Sequence, residues 1–349
     1  MEKFALGKTG LMVAPLGLGG VPIQRPPEDE AIAIIRRCLD LGMNYIDTAA
    51  EYSTSEARIG QAIAGRRRED LVIATKANYG TREEMETKLR QSLKSLGVSY
   101  IDLYQFHLIN TPELLAKAID PAGPLGMLLA AKKAGIIRHI GVTSHHLEVA
   151  REAVKTGVFE TVLFPFNFVT DEPETQLLPL ARERGVGFIA MKPFAGGALK
   201  CIGVALKYLL SFPDVLSIPG VQELREVEEI MQIAGGPRGM TEAEKAEMRR
   251  VKAELDSELC RRCAHCEPCP EGVPVLHLMD LMPFVWNMPP ARAFREEIAA
   301  NIEKFNNCNQ CGECETKCDY GIPVMKVIAD NYRSYQEGLQ QFRAEGGSR

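Results

Sequence analysis

The sequence predicts an α/β protein: a (β/α)8 TIM barrel followed by a smaller, mainly helical C-terminal domain. Up to about residue 235, short apolar runs alternate eight times with amphipathic helical stretches, which is typical of a closed parallel barrel. An open doubly wound sheet is the competing fold, and it would favour a GxGxxG motif that leads from the first strand into a helix. The first run, "PLGLGG", carries no such motif. The second domain is indicated by the cysteines, because eight of the ten lie within residues 260–318.

The expected barrel strands are, in chain order, "PLGLGG", "NYIDTA", "LVIATK", "IDLYQFH", "IRHIGVTS", "TVLFPFN", "GFIAMKP" and "VLSIPG". The helical segments between them often end in glycine, the usual C-terminal stop, at Gly42, Gly97, Gly135, Gly157 and Gly185. Ahead of the first strand, "FALGKTGLMVAP" predicts a hairpin that turns at Lys8–Gly10 and could plug the barrel floor.

These patterns divide the chain into four expected segments. Residues 1–238 form the barrel, 239–258 a linker helix, 259–330 the cysteine-rich domain and 331–349 a polar tail. The linker helix has the signature of a capping box, with Thr241 at the N-cap and Glu244 three residues later. Beyond the strand–helix unit, the sequence indicates no internal repeat.

Composition excludes several classes of function. The formal net charge of −5 provides no basic face for nucleic acid. No apolar stretch approaches the roughly 20 residues of a membrane span, and "MEKFALGKTG" lacks the apolar core of a secretory signal. We therefore expect a cytoplasmic protein with neither a nucleic-acid nor a membrane partner. Disulfides are rare in that compartment and do not explain the crowded thiols.

The cysteines form two runs, each of which begins with three cysteines at x2 intervals; the fourth follows after x2 in the first run and after x3 in the second. Three cysteines at successive x2 intervals fit three corners of an iron–sulfur cube, and in two-cluster proteins the fourth cysteine ligates the other cluster. This rule predicts two 4Fe–4S clusters, and structural zinc is the alternative, although zinc sites usually separate two CxxC pairs by a longer spacer. The ligands of one cluster are then Cys260, Cys263, Cys266 and Cys318, and those of the other are Cys308, Cys311, Cys314 and Cys269.

This part of the chain resembles bacterial-type ferredoxin modules with two clusters. The resemblance implies a ferredoxin-like iron–sulfur domain that transfers electrons. Two features depart from the pattern: the spacer between the runs is longer and helical, and Cys318 precedes Asp319 rather than proline.

Ionisable residues stand at the ends of three neighbouring predicted strands. Asp47 ends the second strand and Tyr52 follows it, Lys76 ends the third, and His107 ends the fourth. Because barrel active sites lie at the carboxyl ends of the strands, we expect these four groups to converge. They suit carbonyl reduction: Tyr52 would protonate the oxygen, Lys76 would stabilise the phenolate, Asp47 would hold the lysine, and His107 would orient the carbonyl.

The stretches "NYIDTAAEYSTSEARIGQAI", "LVIATK" and "IDLYQFH" resemble the aldo/keto reductase family over residues 1–235. The resemblance implies that Asp47, Tyr52, Lys76 and His107 are catalytic and that a small aldehyde or ketone is reduced with NAD(P)H. It also implies a set of cofactor contacts: Thr143 and Ser144 in "GVTSHH", Met191 after the seventh strand, and Gly220, Arg225 and Glu229 in "SIPGVQELREVEE".

The cofactor-binding positions depart from the family pattern. Leu163 stands where the family usually has glutamine, Met191 where an aromatic stacks on nicotinamide, and Ile230 where an asparagine contacts adenine. Glu226 stands near the expected 2′-phosphate and would repel it, so we expect NADH to be favoured over NADPH, although the neighbouring Arg225 could oppose this.

Three hypotheses remain for how the two domains work. In the first, an NAD(P)H-linked reductase exchanges electrons through its clusters with a ferredoxin or flavoprotein partner. Nicotinamide transfers two electrons as hydride whereas a cluster transfers one, so a second hypothesis makes the clusters the reductant and dispenses with nicotinamide. In the third, the clusters only hold a structural or docking module.

Overall fold

The structure is a computed structural model that describes residues 1–237 and 239–346. Residue 238, the expected end of the barrel, and residues 347–349 of the expected tail lie outside the described residues. The chain divides into two compact units, the first covering Met1–Met248 and the second starting at Arg249. No described helix is both long and apolar enough to cross a bilayer.

Eight parallel strands form one curled sheet in the first unit, in the order in which they occur along the chain. Two parallel bridges, Leu16 to Ser217 and Gly19 to Gly220, join the last strand to the first and close the barrel. These strands are β3 Leu18–Gly19, β4 Tyr45–Asp47, β5 Val72–Asn78, β6 Ile101–His107, β7 Ile137–Thr143, β8 Thr161–Pro165, β9 Gly187–Met191 and β10 Val215–Ser217. The expected closed barrel is confirmed.

The predicted N-terminal hairpin is also confirmed, as β1 Phe4–Ala5 and β2 Met12–Val13. Leu6, Leu11 and Val13 pack into the same apolar cluster as barrel residues such as Leu103 and Leu216. Backbone and side-chain hydrogen bonds tie the hairpin to residues that precede β4 and β9. The hairpin therefore plugs the amino-terminal end of the barrel with apolar side chains and leaves the carboxyl ends of the strands for polar groups.

Amphipathic helices surround the sheet because each buries one apolar stripe against it. Two of the expected glycine stops, Gly97 and Gly185, are left-handed C-caps, a conformation that costs glycine little. The helices of this unit are α1 Glu28–Asp40, α2 Ser55–Ile63, α3 Arg82–Leu96, α4 Pro112–Ala118, α5 Pro124–Lys133, α6 Leu147–Lys155, α7 Glu172–Gln176, α8 Leu178–Arg184, α9 Ile202–Leu210 and α10 Leu224–Gly235.

The linker helix α11, Glu242–Leu255, spans the division between the units and begins with the predicted capping box. Glu244 accepts from the Thr241 backbone N–H at 2.7 Å, and Thr241 Oγ1 accepts from the Glu244 N–H at 3.2 Å. The second unit contains α12 Val275–Met279, α13 Leu281–Asn287, α14 Pro290–Ala293, α15 Glu296–Glu303, α16 Glu313–Thr316 and α17 Val324–Ala344.

The expected polar tail from residue 331 is instead the larger part of α17. Ile328, Tyr335 and Leu339 recur at helical spacing and are buried in the core of the second unit. The Tyr335 hydroxyl donates to the Ala293 carbonyl at 3.0 Å. These contacts make the last helix part of the domain.

Candidate functional site

Adjacent strands bring the four predicted catalytic residues to the same rim of the barrel. Asp47 ends β4, Lys76 lies in β5, and His107 ends β6, where it pairs in register with Asn78. Tyr52 lies in the loop after β4, in a turn in which its N–H donates to the Ala49 carbonyl at 3.0 Å. The strand order therefore produces the convergence that the sequence led us to expect.

Asp47 and Lys76 form a buried ion pair, with 3% and 2% of each residue exposed. Lys76 Nζ donates to Asp47 Oδ1 and also to the Thr48 carbonyl at 2.8 Å. The second carboxylate oxygen, Asp47 Oδ2, accepts from Gln105 Nε2 at 3.1 Å. Burial lowers the pKa of Lys76, but Asp47 and Tyr52 outweigh it and hold this pKa above its ordinary value. The lysine is therefore a fixed cation.

Tyr52 lies against this cation, with Lys76 Nζ 5.0 Å from the centre of its ring. Burial raises the pKa of Tyr52 and Lys76 opposes that rise, so the phenol carries its proton at neutral pH. The His107 ring meets the Tyr52 ring edge-on, with 5.9 Å between the ring centres. Burial lowers the pKa of His107, and nearby Lys76 lowers it further. A protonated phenol beside a fixed ammonium and a neutral imidazole is an arrangement suited to donating a proton.

Gln105 and Glu51 also belong to this site, and sequence reasoning did not select them. Gln105 precedes His107 by two residues, so both side chains point to the same face of β6. Glu51 precedes Tyr52, and its Oε2 lies 3.3 Å from His107 Nδ1. The period of two along "LYQFH" was the signal that could have identified Gln105.

Four of the residues expected to bind cofactor lie at or just beyond the ends of β7, β9 and β10, near the carboxyl-terminal rim. Thr143 and Ser144 are buried, and both hydroxyls are used within the protein: Thr143 Oγ1 accepts from the Leu108 N–H at 2.8 Å, and Ser144 Oγ accepts from the His146 N–H at 3.1 Å. Met191 ends β9 and is half-buried. A Cβ atom at Gly220 would lie 2.5 Å from Pro22, so the chain there needs glycine.

The other expected cofactor contacts lie on α10. Arg225 is largely exposed and pairs with Glu223. Glu229 is also exposed and lies in the second turn of α10. Glu226 completes a capping box and accepts from the N–H groups of Gln222 at 2.6 Å and Glu223 at 3.1 Å. A carboxylate therefore already occupies this helix start, where a phosphate would otherwise bind.

In the second unit, the eight clustered cysteines border two cavities. All eight are free thiols, and Cys311 is the most exposed of them. One cavity is bordered by Cys260, Cys263, Cys266 and Cys318. The other is bordered by Cys269, Cys308, Cys311 and Cys314, with Cys266 at its edge. Each cavity thus combines three cysteines of one run with the last cysteine of the other.

The backbone follows the same path through both runs. Positive φ angles occur two and four residues after the first cysteine of each run, at Arg262 and Ala264 and again at Gln310 and Gly312. Such alternation forms concave nests of backbone N–H groups, a common surrounding for anionic iron–sulfur clusters. Four thiols and a nest of donors suit a cluster better than they suit a bare cation.

Contrary to our expectation, the second unit contains an internal repeat. "CPEGVPV" after the first run corresponds to "CDYGIPV" after the second, and Gly272 and Gly321 both have positive φ. A helix begins after each "GxP" segment, α12 in one case and α17 in the other. The repeat was hidden because the two copies share few residues besides cysteine, glycine and proline.

One smaller grouping could also hold a metal ion. Ligand atoms of Cys263, His265 and Asp319 lie within 4.8 Å of one another. Because Cys263 also borders the first cavity, a bare ion here would compete with a cluster for that thiol.

Comparisons with known proteins concern the first unit. The model of the aldo/keto reductase family matches residues 15–203, more than half of the chain. The uncharacterised oxidoreductase YqkF of Bacillus subtilis is 30% identical over 213 residues, covering 57% of this chain and 67% of that protein. The NADH-specific methylglyoxal reductase of Escherichia coli is 29% identical over 231 residues, covering 57% and 69%.

Solved structures agree with this assignment. The thermostable aldo-keto reductase Tm1743, in complex with the inhibitor epalrestat, is 26% identical with a TM-score of 0.60, covering 72% of this chain and 100% of that one. The holo form of the aldo-keto reductase AKR11C1 from Bacillus halodurans shares the fold, with a TM-score of 0.63, 24% identity and coverage of 72% and 96%. The chain therefore belongs to the aldo/keto reductase family of oxidoreductases.

Proposed function

We propose that this chain is an NAD(P)H-dependent reductase of a small-molecule aldehyde or ketone, with Tyr52 as the general acid. The buried Asp47–Lys76 pair beside Tyr52 carries this proposal. It places a fixed positive charge next to the Tyr52 phenol, which lies at the barrel rim and can give up a proton. The methylglyoxal reductase among the relatives acts on a small carbonyl compound, which favours the same class of reaction.

In this mechanism the protein supplies a proton and a prepared electrostatic environment. Bound NAD(P)H would supply the hydride, which carries two electrons to the carbonyl carbon. The Tyr52 hydroxyl donates its proton to the carbonyl oxygen, and Lys76 stabilises the phenolate that remains. Asp47 and Gln105 keep the lysine oriented, because both carboxylate oxygens are held. His107 contacts the substrate from the neighbouring strand.

Of the residues expected to bind the nicotinamide, Thr143 and Ser144 already use their hydroxyls within the protein. Thr143, Met191 and Gly220 lie at or just beyond the carboxyl ends of their strands, near the rim that carries Tyr52. We propose that they bind the cofactor together with Ser144, Arg225 and Glu229. The cap at Glu226 supports NADH over NADPH, because its charge opposes a 2′-phosphate.

Replacing Tyr52 with phenylalanine tests the assignment of the general acid. Tyr52→Phe should lower the rate of NAD(P)H-dependent carbonyl reduction by about 100-fold or more while thermal stability and cofactor binding stay close to those of the unmodified protein. Tyr104→Phe is a matched control, since its hydroxyl is buried without a partner among the described residues and the side chain alternates with that of Gln105 along β6. Retained activity in Tyr52→Phe would contradict the proposed role.

For the second unit we propose two 4Fe–4S clusters in a ferredoxin-like module. The two cavities support the crossed set of ligands: Cys260, Cys263, Cys266 and Cys318 for one cluster, and Cys308, Cys311, Cys314 and Cys269 for the other. Such clusters would carry single electrons, to be exchanged with a ferredoxin or flavoprotein partner. The repeated positive-φ backbone favours this reading over a structural zinc site.

An inventory of bound metal tests the clusters. After anaerobic purification we expect about eight iron atoms and about eight acid-labile sulfides per chain. Cys318→Ala should lower the iron content, whereas Cys38→Ala should not, because Cys38 is buried in α1 of the first unit and lines neither cavity. Stoichiometric zinc without sulfide would contradict the proposal and favour the grouping around His265.

A further inference from the structure

The loop between β3 and α1, residues 20–27, follows the carboxyl end of β3 and touches two parts of the proposed active site. Its Pro22 packs so closely on Gly220 that a Cβ atom there would lie 2.5 Å from Pro22 Cγ. Its Gln24 side chain accepts a hydrogen bond from Ser53 Oγ at 2.7 Å, and Ser53 directly follows the proposed general acid in the chain. The loop therefore connects a residue expected to bind the cofactor with the segment that carries the general acid.

A second set of hydrogen bonds joins the loop to residues before and after Tyr52. The Gly20 N–H donates to the Asp47 carbonyl at 2.7 Å, and the Gly20 carbonyl accepts from Ser55 Oγ at 2.8 Å. Ser55 Oγ also accepts from Thr48 Oγ1 at 2.9 Å. Because Asp47, Thr48 and Ser55 are buried, little water competes for these bonds. Tyr52 thus lies in a segment that is held against the loop at both of its ends.

Arg58 in α2 holds the other end of the same loop. Its Nη1 donates to the carbonyl of Ile23 at 2.6 Å and to that of Pro26 at 2.9 Å, and only 8% of the residue is exposed. Ile23 is itself fully buried, so the acceptors lie inside the protein rather than at its surface. Since α2 begins directly after the Tyr52 segment, Arg58 fixes the loop to the helix that also ends this segment.

A buried charge is a costly means of holding a loop. Burial lowers the pKa of Arg58 and Glu28 opposes this, but a guanidinium group keeps its charge at neutral pH in either case. Its Nε is buried without a partner among the described residues. A buried ionic group can often be replaced by an apolar side chain of similar volume without loss of stability. Stability alone therefore does not require an arginine here, whereas two carbonyls held at fixed positions do require a donor.

We propose that Arg58 is a positioning residue: through the loop of residues 20–27 it sets the position of the Tyr52 hydroxyl relative to the cofactor-binding residue Gly220. Arg58 acts on the loop, Gln24 passes the position to Ser53, and Pro22 passes it to Gly220.

This inference rests on the proposed carbonyl reduction and adds a residue that acts at a distance from the reacting atoms. Hydride and proton must reach the two atoms of one carbonyl group, so a small displacement of the proton donor or of the cofactor slows the reaction. Loss of Arg58 should therefore affect the rate of the chemical step more than it affects substrate binding.

Arg58→Met tests the proposal in the complete protein, with propanal as substrate and saturating NADH. We expect kcat to fall by about 100-fold, the effect of a misplacement of about 1 Å, while KM for propanal stays close to that of the unmodified protein. Arg58→Lys keeps a charged donor for the carbonyls and should recover most of this loss. Arg68→Met is the matched control. Arg68 also donates to two backbone carbonyls, those of Leu71 at 2.9 Å and Tyr100 at 3.0 Å, but these precede β5 and β6 at the opposite end of the barrel, so kcat should not change.

A second variant does not depend on the folding of Arg58→Met. Ser53→Ala removes the bond to Gln24 at an exposed position and should lower kcat by roughly tenfold, the contribution of one hydrogen bond. Because Arg58 and Ser53 act through the same loop, the double variant should lose less than the product of the two single losses.

Hydrogen–deuterium exchange provides a measurement that does not depend on activity. The amides of residues 20–27 and 48–55 should exchange faster in Arg58→Met than in the unmodified protein, and not in Arg68→Met. An unchanged kcat in Arg58→Met or Ser53→Ala, a loss that Arg58→Lys does not recover, single losses that multiply in the double variant, or unchanged exchange of residues 48–55 would each overturn the inference. If the unmodified protein does not reduce propanal, the proposed function fails, and the exchange measurement still decides the role of Arg58.

Discussion

Replacing Lys76 with methionine separates the contribution of this residue to stability from its contribution to catalysis. The substitution keeps most of the length of the side chain and removes its charge. Among the described residues, Gln105 is then the side-chain donor that remains for the buried Asp47 carboxylate. Removing one member of a buried ion pair costs about 3–5 kcal/mol. In a unit of this size each kcal/mol lowers Tm by roughly 2–4 °C, so we expect a decrease of roughly 6–20 °C.

The rate of carbonyl reduction should fall by about 100- to 10,000-fold in the same variant, because an unassisted phenol is a poor acid at neutral pH. Asp47→Asn combined with Lys76→Met removes the unpaired carboxylate, so it should recover most of the lost Tm while activity stays low. Thermal unfolding followed by circular dichroism and a steady-state assay measure the two effects.

A surface variant provides the control for charge removal. Lys155 pairs with Glu152 at 2.7 Å on the exposed side of α6, and such pairs contribute about 0–1 kcal/mol. Lys155→Met should therefore leave both Tm and activity nearly unchanged. An unchanged Tm in Lys76→Met, or a double variant no more stable than the single one, would refute the reasoning.

Two further predictions concern pH and the cofactor. Burial raises the pKa of Glu160, but hydrogen bonds from His139 and Lys132 outweigh burial and lower this pKa from 4.5 to about 2. The ionised carboxylate therefore stabilises the fold above pH 4.5. This contribution is lost as the pH falls towards 2. The destabilisation caused by Glu160→Gln, measured by urea unfolding, should therefore shrink by on the order of 2 kcal/mol between pH 6 and pH 3, and a constant difference would be incompatible with this account. The unmodified protein should bind NADH more tightly than NADPH. Glu226→Gln keeps a capping side chain and should reduce the ratio of the two dissociation constants by roughly tenfold, because unit charges about 4 Å apart repel by about 1–4 kcal/mol. Dissociation constants from fluorescence titration measure this preference, and tighter NADPH binding by the unmodified protein would contradict it.

The barrel could be predicted because each of its strands is a separate apolar run with a helical segment after it. Strands buried on both faces consist almost entirely of apolar residues, as in "LVIATK". The helix-ending glycines Gly97 and Gly185 adopt the left-handed conformation expected at a helix C-cap. Polar residues at the ends of such runs were visible for the same reason, which is how Asp47 and His107 were selected.

The helix α17 was missed although its signal is present in the sequence. Ile328, Tyr335 and Leu339 follow one helical stripe, but they are separated by charged and amide residues that make the segment look polar overall. The average composition of the segment therefore suggested a polar tail, whereas the spacing of its few apolar residues would have indicated a packed helix.

Glu51 could not be identified from the sequence for a different reason. Its importance depends on the distance from its carboxylate to a histidine 56 positions away in the chain, which only the pairing of β5 and β6 determines. A glutamate in a loop is ordinarily solvated, so nothing in its residue type or its neighbours distinguishes this one.

The exchange of cysteines between the two halves of the repeat has a consequence for how the protein is made. Neither half has four thiols around its own cavity, since Cys318 borders the cavity of the first run and Cys269 that of the second. While the chain is being synthesised, the earlier cavity stays incomplete until Cys318 has left the ribosome. A chain that ended between the two runs would leave three cysteines without their fourth partner, so insertion of the proposed clusters would have to follow translation of the whole repeat.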